Sequence, residues 1–240
     1  MAPAAPNLLL SVLSASVRDS LLSRASTVEL PTGTVLHEPG VAPRYAYFLL
    51  NGLASLVVDL EGGASAEVNM IGREGVVNGM HVLGGSPIPT RCTMQLGGAG
   101  LRIPMALQGE FAASEELRSR MLEFLQYQSA VVSQIAGCNR LHSAEERLVR
   151  WLLMASDKTG FDLLVLTHEY LAQMLATHRP TVTLAAGDLQ SRGLIQYSRG
   201  TMRLMDRPGL EAVACSCYGV IRDLHAKLYR GEEALSLRPA

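Results

Sequence analysis

From Leu117 to His142 the side chains Leu117, Met121, Phe124, Gln128, Val131, Ile135, Cys138 and His142 recur at alternating steps of four and three. Steps of that size fall on one stripe only if the segment is a single helix of roughly seven turns. A stripe so narrow suits pairing with a second copy of the same helix, and Gln128 in its middle would set the register at some cost in stability. The other occupant of such a stripe is the chain's own neighbouring domain. In both cases a long rod separates an N-terminal half from a C-terminal half.

The N-terminal half has a texture of its own. Leu9, Val12, Leu13, Val17, Leu21 and Leu22 fall near helical spacing and predict a short N-terminal helix. From Val28 to about Leu107, short β-rich runs are cut by Pro31-Thr-Gly33, Glu38-Pro-Gly40, Asn51-Gly52, Glu61-Gly-Gly63, Gly72, Gly84-Gly85 and Gly97-Gly98. Regular short strands with such turns predict a sandwich or small barrel of the jelly-roll kind.

The C-terminal half is helical and carries clear punctuation. Ser143 and Glu146 make an S-x-x-E capping box for a helix through Arg147–Ser156, so Cys138–Ser143 reads as a hinge. After the polar connector Asp157–Asp162, Thr167 is a good N-cap for a helix Glu169–Leu175. Ala176-Thr177-His178 is a tight break, and Pro180 suits the first turn of the next helix because its missing N–H has no partner there anyway. That helix runs to about Ser191 and ends at Gly193, with Val182, Ala185, Ala186 and Leu189 facing inward. Arg179, Thr181 and Thr183 remain outside at its N-terminal end. Leu194–Tyr197, Ser198-Arg-Gly200 and Thr201–Met205 read as a hairpin with a basic tip, the wing of a winged helix-turn-helix. The fold class is α+β, with units at 1–110 (β-roll and N-terminal helix), 111–142 (long helix and hinge), 143–207 (winged helix) and 208–240 (helical tail).

Bulk properties narrow the function. The 240 residues are 48% hydrophobic and 18% charged, an ordinary globular composition, and no apolar run is long enough to span a bilayer. Met1–Leu13 lacks the basic start of a signal peptide, so a cytoplasmic protein is expected. The net charge of −1 hides an asymmetry: residues 1–139 hold 8 Lys/Arg against 11 Asp/Glu, residues 140–207 hold 9 against 7. Only the later region can face phosphates without first overcoming its own charge. Cys92, Cys138, Cys215 and Cys217 show no CxxC and no cysteine–histidine spacing of the zinc-finger kind, so neither a disulfide framework nor a metal site is expected. No Ser/His/Asp order, paired carboxylates or phosphate loop emerges, and the chain is not read as an enzyme.

The order of β-roll, long helix, helix-turn-helix and wing resembles the cyclic-AMP receptor protein/Fnr family of bacterial transcription regulators. The residues that carry the resemblance are Glu145-Glu-Arg-Leu-Val-Arg-Trp151-Leu-Leu153, Leu166-Thr-His-Glu169 with Leu171-Ala-Gln-Met-Leu175, Arg179-Pro-Thr-Val182 and Leu194-Ile195. It implies a homodimer on a near-palindromic double-stranded DNA site, working with RNA polymerase. Arg179 matches the family's guanine-reading arginine, and Thr167 and Thr181 match hydroxyls that contact phosphate. His178, Thr183 and the wing's Arg199 complete the expected DNA-binding set. Pro180 stands where the family commonly has glutamate and Leu184 where it has a second base-contacting arginine, so the preferred site should differ.

The resemblance also raises a cyclic nucleotide as a candidate effector. Gly75 and Gly79 resemble the glycines of the family's phosphate cassette, Arg91 lies near its arginine, and Cys92 follows it. The expected pocket comprises Gly79, Met80, Arg91 and Cys92, with Tyr127 and Gln128 reaching in from the long helix. Met80 stands where the ribose-binding glutamate belongs, which removes a charge-assisted hydrogen bond of roughly 1.5–3 kcal/mol and argues against cyclic AMP. An iron–sulfur sensor of the Fnr type needs N-terminal cysteines, and the first cysteine here is Cys92. Haem on His81 and a thiol switch at Cys215/Cys217 are weaker readings than plain packing. A protein-interaction module, with the winged helix contacting a protein instead of DNA, is the competing function.

Overall fold

Strands of alternating burial build the first half of the chain. The structure is a computed structural model and describes residues 7–61, 65–83, 87–107, 109 and 113–230. The turns expected at Gly62-Gly63 and Gly84-Gly85 and the end of the helical tail lie outside these residues. Two short helices, α1 (Leu8–Ser11) and α2 (Ala15–Leu22), stand in place of the single N-terminal helix expected. Asn7 caps α1 and its amide donates to the Leu49 and Gly75 carbonyls, which fastens the helix to the sandwich.

The sandwich has two four-stranded antiparallel sheets. One contains β1 (Ser26–Leu30), β8 (Gly98–Pro104), β3 (Tyr45–Leu49) and β6 (Val76–Val77) in that order. The other contains β2 (Val35–His37), β7 (Thr90–Leu96), β4 (Leu53–Asp59) and β5 (Ser65–Ile71). Alternation places Phe48, Val57, Cys92, Met94 and Ile103 in the core between them. The non-consecutive order within each sheet is that of the jelly roll expected from the turns. A one-turn helix α3 (Gly79–Leu83) follows β6.

The rod is α4 (Glu115–Leu141), capped by Ser114 and opened by Glu115 and Glu116 beside the positive end of the helix dipole. Its stripe corrects the pairing expectation. Leu117, Met121, Phe124, Val131 and Ile135 are at most 5% exposed within a single chain. They pack on β5, on α3 and on the C-terminal helix, so they are not available to a partner. Gly75 shows how close this approach is: a Cβ there would lie 2.0 Å from the Phe124 ring. A Cβ at Gly79 would meet Val76 at 2.8 Å and Met121 at 3.4 Å. The two glycines read as a phosphate cassette therefore serve the seating of α4.

Helix α5 (Ala144–Thr159) starts with the expected capping box, both of its hydrogen bonds formed, and ends at Gly160 with φ 74°. It joins the two halves. Trp151 Nε1 donates to Glu67 of β5 at 2.7 Å, and Lys158 pairs with Glu74, both side chains being buried. Then come β9 (Leu163–Val165), α6 (His168–Met174), α7 (Arg179–Ser191), β10 (Ile195–Ser198) and β11 (Thr201–Leu204), closed by α8 (Arg207–Val213) and α9 (Ser216–Lys227). Among the described residues no helix is long and apolar enough to cross a membrane.

Candidate nucleic-acid interface

The two helices α6 and α7 are set by their ends. Thr167 caps α6 by accepting from the Tyr170 N–H at 3.1 Å, and the helix stops where Ala176 takes φ 47°. Pro180 occupies the first turn of α7, and Gly193 at φ 73° follows its last turn. Leu171, Ala172, Met174 and Leu175 from α6 and Val182, Ala185, Ala186 and Leu189 from α7 are buried, as the periodicity requires. Strands β10 and β11 pair from Ile195↔Leu204 to Ser198↔Thr201, and β9 adds a third strand on β11. Their tip uses positive φ at both central residues, Arg199 (49°) and Gly200 (76°), which matches the strand twist.

His178, Arg179, Pro180, Thr183 and Leu184 are exposed at the N-terminal end of α7, and Thr181 is half-buried. Arg199 is exposed at the wing tip, and neither arginine has an ion pair among the described residues. Nearby arginines differ: Arg192 pairs with Glu145 and Asp188, and Arg207 with Asp157 and Glu211. Thr183 is more committed than the sequence suggests. Its hydroxyl donates to the Arg179 carbonyl at 3.0 Å and shares a second 3.0 Å contact with His168 Nδ1.

The sequence reading passed over the residues that hold this surface in shape. The His168 ring stacks on Tyr197 with centroids 4.0 Å apart, and Gln190 accepts from the Tyr197 N–H at 2.7 Å. The wing, α6 and α7 are thereby locked together. Burial, helped by the charge of Arg179, lowers the His168 pKa, so the imidazole is neutral at pH 7. A histidine just inside a threonine cap, and an aromatic residue in the wing, were the signals available.

The expected effector pocket is not assembled. Arg91 lies on the outer surface, bidentate to Asp59 at 3.0 and 2.9 Å. Cys92 is fully buried between the sheets and faces Leu56 and His37 across the ladder. Tyr127 belongs to a separate cavity of about 260 Å³ between α4, α5 and α9, where its hydroxyl accepts from Lys158 at 3.4 Å. Gly79, Met80 and Gln128 do meet, with His37 and Asn78, around a space of only about 20 Å³. That holds about one water and no nucleotide.

Residues 146–213 match the Crp-like helix-turn-helix domain. The chain has the fold of the Crp/Fnr transcription regulators. A transcriptional regulator of that family from Eubacterium rectale superposes with a TM-score of 0.68 at 18% identity, over 85% of this chain and 96% of that one. A CRP-family regulator from Thermus thermophilus gives 0.65 at 20% identity, over 78% and 96%. The c-di-GMP responsive regulator CLP of Xanthomonas campestris gives 0.64 at 17%, over 80% and 100%. No curated protein matches the sequence.

Proposed function

We propose that the chain is a homodimeric, sequence-specific DNA-binding transcription regulator of the Crp/Fnr kind whose β-sandwich does not bind cyclic AMP. The observation that carries this is the surface formed by the start of α7 and the tip of the wing. Arg179 and Arg199 project there without ion pairs among the described residues, on a scaffold locked by His168 and Tyr197. An arginine fork at the start of a helix that enters the major groove reads guanine O6 and N7, and a wing arginine meets phosphate. The small space at Met80 and the outward Arg91 support the loss of the nucleotide site.

Selection from random duplexes, repeated with candidate cyclic nucleotides, tests the reading. A near-palindromic site should emerge, with affinity falling steeply with salt. Arg179→Ala should weaken binding to it by about 1–3 kcal/mol and relax preference at one base pair per half-site, measured by titration. A winged helix that contacts protein instead would show no salt-sensitive binding to any duplex, and that result would sink the proposal.

A further inference from the structure

Three of the four cysteines, scattered in sequence, meet in the fold. Cys138 lies in the last turn of α4 and His142 directly follows that helix; Cys215 caps α9 and Cys217 lies in its first turn. Folding across 77 residues sets the Cys138 and Cys215 sulfurs 3.5 Å apart, and Cys217 Sγ lies 3.6 Å from His142 Nδ1. All four ligand atoms fall within 4.8 Å of one another, the cysteines buried and the histidine half-buried. The expectation of no metal site rested on zinc-finger spacings, whereas here a Cys-x-x-x-His pair at the end of α4 and a Cys-x-Cys pair at the start of α9 are brought together only by the fold.

We propose that Cys138, His142, Cys215 and Cys217 bind one tetrahedral metal ion of the zinc class. Zn–S bonds of about 2.3 Å at tetrahedral angles separate two sulfurs by about 3.8 Å, and a sulfur from an imidazole nitrogen by about 3.5 Å. The present separations are close to both. An iron–sulfur cluster holds its thiolates farther apart, because the ligands sit on different irons, so a single ion is the better fit. Three thiolates and one imidazole are also the soft set that favours zinc over magnesium or calcium.

The surroundings suit that charge. Zinc with three thiolates carries one net negative charge, and the buried Arg150 lies near enough to act on the thiols. Gln134 Nε2 donates to Cys217 Sγ at 3.1 Å, the kind of outer hydrogen bond that orients a thiolate ligand. Residues 143–214 form the loop between the two ligand pairs, and they contain the whole Crp-like domain of 146–213. The ion would therefore clamp both ends of that domain to the end of α4.

The test uses the full chain, reduced, stripped of metal and kept anaerobic. Titration with Co²⁺ should produce thiolate charge-transfer bands and intense tetrahedral visible bands that saturate at one ion per chain and vanish on adding one equivalent of Zn²⁺. Cys138→Ser and Cys217→Ser should abolish the bands, Cys92→Ser should keep them, and His142→Cys should keep a four-sulfur version. Gln134→Ala should weaken zinc binding by about 10- to 100-fold. Alkylation of the unmutated protein needs no variant to fold: zinc should protect Cys138, Cys215 and Cys217 together and raise the Tm. The proposal is overturned if the folded, reduced protein gives no thiolate–cobalt bands. A Cys138–Cys215 disulfide that reductant and zinc do not displace, or a brown iron–sulfide centre in their place, overturns it equally.

Discussion

Glu74 and Lys158 face each other across the joint between the sandwich and the winged helix, their side chains 1% and 5% exposed. Burial alone would raise the Glu74 carboxyl, but the Lys158 ammonium outweighs it and holds the group below its usual value. Burial likewise works against the charge on Lys158, and Glu74 and Tyr127 overcome it, so the lysine pKa is raised. Such a pair adds little net stability when intact, because desolvation offsets the attraction, yet removing one member strands the other. Lys158→Met should therefore cost about 3–5 kcal/mol, and adding Glu74→Gln should restore most of it, as read from urea unfolding of the four proteins of the cycle. Losses that simply add would show that the two charges are not coupled. Neither residue stood out in the sequence: Gly72-Arg-Glu-Gly75 matches no catalytic pattern, and the partner lies 84 residues away.

At the scale of elements, α4 shows what periodicity reveals and what it leaves open. Caps, the αL glycine after α7 and the two-residue wing turn were legible because neighbouring residues decide them. The stripe of α4 was legible too, but steps of three and four do not say what covers it. The sandwich and α9 cover it, and a second series at the same steps, Leu122, Leu125, Ser129, Val132 and Ala136, lies on the adjoining face. Leu122 and Val132 are 54% and 38% exposed. If the protein is a dimer through α4, this is the face that pairs. Leu122→Glu with Val132→Glu should yield a folded monomer in sedimentation and lower affinity for a two-half-site duplex. Ile135→Glu, on the buried stripe, should lower the Tm instead. A double variant that remains dimeric would move the interface elsewhere on the chain.

Over the whole molecule, the two halves meet through a buried carboxylate whose protonation is poised. Glu67 of β5 accepts from Trp151 of α5 and from Ser55 of β4. Burial raises its pKa from 4.5 to about 7, although Ser55, Trp151, Arg150 and Lys158 all pull it down. A carboxyl with a raised folded-state pKa favours folding when protonated. Its contribution is complete below about pH 4.5 and is lost as pH rises through about 7, by an amount on the order of 3 kcal/mol. The lowered histidines His37, His81, His168 and His225 act in the opposite sense, costing stability as pH falls below 6.5. The raw stability curve of the protein therefore mixes both, and the difference between it and Glu67→Gln isolates the carboxyl. A glutamine can keep both contacts, its oxygen accepting from Trp151 and its amide donating to Ser55, but it cannot ionise. Relative to wild type, Glu67→Gln should gain stability between pH 5 and pH 8, by up to about 3 kcal/mol, in thermal unfolding followed at each pH. Parallel curves for the two proteins would mean that Glu67 does not titrate in this range and that the joint is insensitive to it.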